Sequence, residues 1–113
     1  IRDRIIVAVE FDFMPGAYDR IKDEVLNAIE KSRKEKGAQI YDWALDVTNP
    51  NRAIIFELWD SQEALDNHFT YPYMDTLVEV LSTANIRGDI IKYSADIYEV
   101  SDKRSMGFVL PTK

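Results

Sequence analysis

The chain has 113 residues, 46% hydrophobic and 30% charged, with a formal net charge of −6 and no cysteine. That composition suits one globular domain and argues against partners that need a basic face, namely nucleic acid and anionic membrane surfaces. Disulfides and zinc-thiolate sites are excluded, and the cysteine usage fits a reducing cytoplasm.

The first element is a strand. Residues 5 to 13 alternate, with Val7, Val9, Phe11 and Phe13 on one face and Ala8, Glu10 and Asp12 on the other. The turn residues of "MPG" (14–16) end it. From Ala17 the period changes: Tyr18, Ile21, Val25, Ala28, Ile29 and Ser32 mark an amphipathic helix, with Gly37 as its expected C-cap. The basic residues Lys31, Arg33, Lys34 and Lys36 near its end complement the helix dipole. Residues 38 to 47 alternate again, "TNPN" (48–51) reads as a turn, and "RAIIFELW" (52–59) as the second arm of a hairpin. Asp60 then has Glu63 at capping-box spacing, giving a short helix over 61–69. Pro72 starts another, whose expected buried stripe is Met74, Leu77, Val78 and Leu81. "IIKYSADIYEV" (90–100) is the last strand.

The order β-α-β-β-α-β predicts an α+β, ferredoxin-like domain over residues 1–100, a four-stranded antiparallel sheet with helices on one face. The third strand carries Ile54, Phe56 and Leu58 on one parity and Ile55 and Trp59 on the other. Helices cover one face only, so a second copy of the sheet is expected on the other, making a homodimer. The tail, 101–113, is expected to pack on the partner. No apolar run reaches the roughly 18 residues of a membrane span, and no signal peptide is read.

Gly37, Tyr41, Asn49-Pro50, Trp59, Ala64-Leu65 and His68, with "VAVEFDFMPG" at the start, make the chain resemble the antibiotic biosynthesis monooxygenase family of the dimeric α+β barrel superfamily, over roughly residues 5–100. The resemblance implies a homodimer with a pocket between sheet and helices. It also implies oxidation of a small phenolic or quinol-type compound by molecular oxygen, in the cytoplasm, with no metal or flavin cofactor. An electron-rich phenolate can pass an electron to oxygen unaided; the protein binds, deprotonates and shields. Trp59 matches the tryptophan bordering the pocket in polyketide-oxidising relatives. Their asparagine and tyrosine fall at Ile55 and Leu65. The haem-degrading relatives need asparagine, tryptophan and histidine where this chain has Val9, His68 and Val78, so haem degradation is not expected.

His68, the single histidine, lies on a helix face with Ala64, Leu65 and Phe69. It is either a core imidazole with one nitrogen satisfied by a backbone or carboxylate group, or the proton acceptor for a substrate hydroxyl. Trp59 packs and walls the pocket. Tyr41 bonds either a ligand or the backbone. Glu57 is either ion-paired with Arg52 or Lys92, or a base whose pKa is raised. Phe11 is the further substrate-contact candidate. One histidine without cysteine cannot build a His₂ or His-Cys metal site, and no phosphate loop or nucleophile elbow is present. Two rivals remain: an isomerase of a small carbonyl compound on the same fold, and a non-catalytic small-molecule binder or accessory protein. The apolar Ile55 and Leu65 favour the binder, and a greasier ligand.

Overall fold

Alternation along the chain becomes a sheet with one buried and one open face. The computed structural model describes residues 3–107. Its strands are β1 (Arg4–Phe13), β2 (Ala38–Asp46), β3 (Asn49–Trp59) and β4 (Ile90–Val100), and its helices α1 (Ala17–Ser32), α2 (Gln62–His68) and α3 (Pro72–Ile86). The order in the sheet is β2-β3-β1-β4, with every neighbouring pair antiparallel. This is the expected ferredoxin-like architecture, with the second helical segment split in two.

In β1 and β3 the odd-numbered residues face the helices. Ile5, Val7, Phe11 and Phe13 are buried there, as are Ala53, Ile55, Glu57 and Trp59. Helix α1 lays Ala17, Ile21, Val25, Ala28 and Ser32 onto them, one buried residue every three or four positions. Two apolar clusters result. One joins Phe11, Phe13 and Ile55 to α1 and to Met74 and Leu77 of α3. The other gathers Ile5, Val7, Tyr41 and Trp59 under Ala64 and Leu65 of α2.

The even-numbered face is different. Ile6 pairs with Leu58 on one side and Tyr98 on the other, Leu58 pairs with Ile40, and Ala8 pairs with Phe56. An apolar band therefore crosses all four strands, and Ile54 and Phe56 stand 37% and 39% exposed in it. Residues 101–107 form neither helix nor strand and are exposed; the rest of the expected tail contact lies outside the described residues.

Several local expectations are corrected. Helix α1 ends with Arg33 as C-cap, not Gly37. Gly37 instead sits in the turn before β2, with φ +90°, and its carbonyl accepts from the Asp60 amide at 2.8 Å. Ser61, not Asp60, caps α2, its hydroxyl accepting from the Ala64 amide at 3.1 Å. The Asp60 carboxylate is turned to Gln39. The hairpin turns at Val47-Thr48 rather than at 48–51, because Asp46 accepts from both the amide and hydroxyl of Thr48 and Asn49 is already paired. In α3, Val78 is exposed and Ala84 is buried. Among the described residues no helix is long and apolar enough to cross a membrane.

Candidate functional site

Four side chains singled out by sequence meet at one end of the helix-facing side. Glu57 and Trp59 project from β3, and Tyr41 lies directly across from Glu57 on β2. The Ser61 cap starts α2 at a point that brings His68, on its last turn, down onto them. The imidazole is 1% exposed, with Trp59 at 4.7 Å, Tyr41 at 5.5 Å and Phe69 at 5.0 Å between ring centroids.

A fifth residue completes the group. Glu35, in the turn between α1 and β2, places Oε2 2.8 Å from His68 Nδ1. Opposite an ionised carboxylate, which only accepts, Nδ1 would be the donor. The other ring nitrogen, Nε2, would then be a bare lone pair, and it is buried without a partner. Tyr73 of α3 donates its hydroxyl to the same Glu35 oxygen. Glu35 Oε1 and Ser32 Oγ are also buried and unpartnered. Three orphaned polar atoms from one small region are unusual in a folded interior.

The electrostatics follow from burial. Burial pushes the Glu57 carboxyl up to about 7, with the Glu35 carboxylate adding to the rise and the hydrogen bond from Trp59 opposing it. Burial, with Glu57 opposite, raises the Tyr41 hydroxyl to about 12. Tyr73 is raised too, by burial and by its bond to Glu35. Both phenols therefore remain protonated donors near neutrality.

Glu57 does not pair with Arg52 or Lys92. Its Oε1 accepts from the Trp59 indole at 2.9 Å. The reason is parity: Glu57 points to the helices, whereas Arg52 and Lys92 flank Asp12 on the opposite face. Arg52 serves Glu10, Asp12 and Asp46 there.

Phe11 does not join this group. It pairs with Ala53 and Tyr93, and Ala53 to Glu57 is about 13 Å along β3. Phe11 instead lines a separate cleft of about 290 Å³ between α3 and β4, with Val78, Leu81, Ile90 and Tyr93 as apolar walls and Ser82 and Asn85 as polar ones. Trp43 links the two regions, stacking on Phe11 at 6.0 Å and donating to the Tyr41 hydroxyl at 3.5 Å. Ile55 and Leu65 are both 2% exposed and lie in different apolar clusters.

Sequence reasoning missed Glu35 and Tyr73. The available signal was slight: Glu35 is the lone acid in the basic stretch "KSRKEKG". Among the described residues no group of three or more His, Cys, Asp or Glu could hold a metal ion.

Comparison with known proteins agrees with this architecture. The sequence pattern described as "antibiotic biosynthesis monooxygenase" matches residues 4–80. An uncharacterised protein of Synechocystis is 35% identical over 77 residues, which are 68% of this chain and 52% of that protein, so the chain spans about half the length of this curated relative. A solved structure from Deinococcus radiodurans, provisionally named an antibiotic biosynthesis monooxygenase, has a TM-score of 0.79 at 17% identity, covering 92% of this chain and 99% of that one. A conserved protein from Methanosarcina mazei has a TM-score of 0.76 at 21% identity, covering 88% and 94%. At such identities the structural likeness speaks for the fold alone.

Proposed function

Because the chain belongs to the antibiotic biosynthesis monooxygenase family, we propose that it oxidises a small aromatic, phenolic or quinol-type compound with molecular oxygen, using no metal or flavin, as a homodimer. One observation carries this reading: the buried, unpartnered Nε2 of His68 inside a ring of aromatic side chains. Such a nitrogen is a proton acceptor for a substrate hydroxyl. The resulting phenolate is electron-rich enough to reduce oxygen. One oxygen atom enters the substrate, and the substrate's own electrons reduce the other to water.

Trp59 and Tyr41 wall the site, and Glu57, poised near pH 7, supplies a second group able to exchange a proton. Of the three rings against the imidazole, Trp59 and Tyr41 are buried and Phe69 is 54% exposed. The cleft of Phe11 and the groove beside Glu35 are lined by neither His68 nor Trp59. A guest therefore reaches Nε2 only by displacing a neighbouring ring, and Phe69, the exposed one, is the proposed door. The apolar band with Ile54 and Phe56 is the surface that the second protomer covers.

Oxygen uptake with a panel of quinols and phenols, comparing wild type with His68→Gln, tests the assignment. Substrate-dependent uptake that the variant loses, with its fold intact by circular dichroism, is expected. No uptake above background, or an equally active variant, removes it. A second reading, a non-catalytic binder, is favoured by the cleft of Phe11 and Tyr93, which is remote from His68. It is the better account if an aromatic ligand binds tightly and is released unchanged.

A further inference from the structure

We infer that Glu35 is the positioning residue that holds His68 with Nε2 facing the substrate, and the outlet by which the proton leaves for solvent on the far side of the ring. The inference rests on the proton-acceptor reading of His68.

Three observations combine. First, Glu35 Oε2 meets Nδ1 at 2.8 Å, 33 residues away in sequence, and the glutamate and imidazole side chains are 5% and 1% exposed. A carboxylate at Nδ1 selects the tautomer with its lone pair on Nε2 and stabilises the imidazolium once Nε2 takes a proton. Second, the same oxygen accepts from Tyr73. Two partners on one oxygen fix the carboxylate against the ring, and Tyr73, whose own pKa is raised by burial and by this bond, keeps its proton. Third, Glu35 also lines a groove of about 330 Å³ on the protein surface, with Gly37, Asp60, Glu63, Asn67 and Tyr71 among its walls. Its other oxygen, Oε1, has no partner. The glutamate thus touches His68 with one oxygen while its side chain forms part of the wall of a groove whose other charged groups are Lys36, Asp60 and Glu63.

The proton balance is complete. A substrate O–H bond breaks and an Nε2–H bond forms. The Nδ1 proton passes to Glu35, which restores neutral imidazole in the opposite tautomer. The carboxylic acid then exchanges its proton with solvent at the groove, and the ring resets when Nε2 hands its proton to the reduced oxygen that leaves as water while Glu35 returns a proton to Nδ1. No electron moves in any of these steps.

Because His68 is the chain's single histidine, its ring nitrogens are read without ambiguity by 15N NMR of imidazole-labelled protein. The wild type is expected to show protonated Nδ1 and bare Nε2. Glu35→Gln, which keeps the shape but not the charge, should move the population toward protonated Nε2. It should also lower kcat for oxygen uptake by about two orders of magnitude with KM little changed. Glu35→Asp should recover part of both. A wild-type spectrum with protonated Nε2, or a Gln variant with unchanged tautomer and kcat, overturns the inference. If Glu35→Gln fails to fold, the wild-type spectrum still decides the positioning role. Tyr73→Phe, which leaves the carboxylate in place, should then keep the tautomer; a flipped one counts against it. If the wild type consumes no oxygen with any substrate, the oxidation reading fails while the tautomer measurement still decides the role of Glu35.

Discussion

The Trp59 indole donates to the Glu57 carboxylate across 2.9 Å, two residues back on the same face of β3, and both side chains are buried. Burial outweighs this bond and lifts Glu57 from about 4.5 to about 7. Below the lower value the group is protonated folded or unfolded. Between the two values only the folded chain keeps the proton, so stability falls as pH rises, by about 3 kcal/mol across the window. Above about 7 the full cost is present. Glu57→Gln, which can still accept from Trp59, should flatten the profile. Its denaturation midpoint should exceed that of wild type at pH 8 and match it near pH 4.5. Parallel curves would show that Glu57 is not the titrating group.

Gly37 is held at φ +90°, and a Cβ there would lie 2.6 Å from the Ala64 Cβ. Gly37→Ala meets two costs, about 1–2 kcal/mol for the left-handed backbone and about 1–3 for forcing α2 away. Gly88 has φ +85° but open space around it, so Gly88→Ala carries the backbone cost alone. Urea unfolding of the two variants should separate them by the clash. Equal midpoints would mean that α2 yields freely at Ala64.

Phe69, 54% exposed, packs edge-on against the buried imidazole on the proposed access route. Diethyl pyrocarbonate modifies neutral imidazoles that it can reach. His68 should react slowly in wild type and severalfold faster in Phe69→Ala. An unchanged rate would place the way in elsewhere.

The open face of the sheet gives a direct test of assembly. Wild type is expected to sediment as a dimer, and Phe56→Glu, which sets a charge in the middle of the apolar band, as a monomer. Wild-type monomers at micromolar concentration would leave that band without its proposed cover.

Much of this architecture is written in periodicity. The alternation through Val7, Val9, Phe11 and Phe13 and the stripe of Ile21, Val25, Ala28 and Ser32 are strong signals, because each repeats with the geometry of its element. Boundaries are weaker signals. Asp60 and Ser61 are both good caps; Ser61 takes the role, and the aspartate instead meets Gln39 of β2, a partner no local pattern reveals. Parity alone would have separated Glu57 from Arg52. Glu35 was beyond pattern reading, since a turn residue has no period and its partners are 33 and 38 positions away. Phe11 shares the inward face with Trp59, but sharing a face does not bring two residues to one spot.

Glu35 fastens three segments at once: the turn that bears it, the end of α2 through His68 and the start of α3 through Tyr73. The atoms proposed to handle protons are therefore also joinery of the fold. Engineering that re-tunes the base will register as lost heat tolerance. Conversely, filling this polar knot with well-packed hydrocarbon would yield a sturdier protein with nothing left to perform the chemistry.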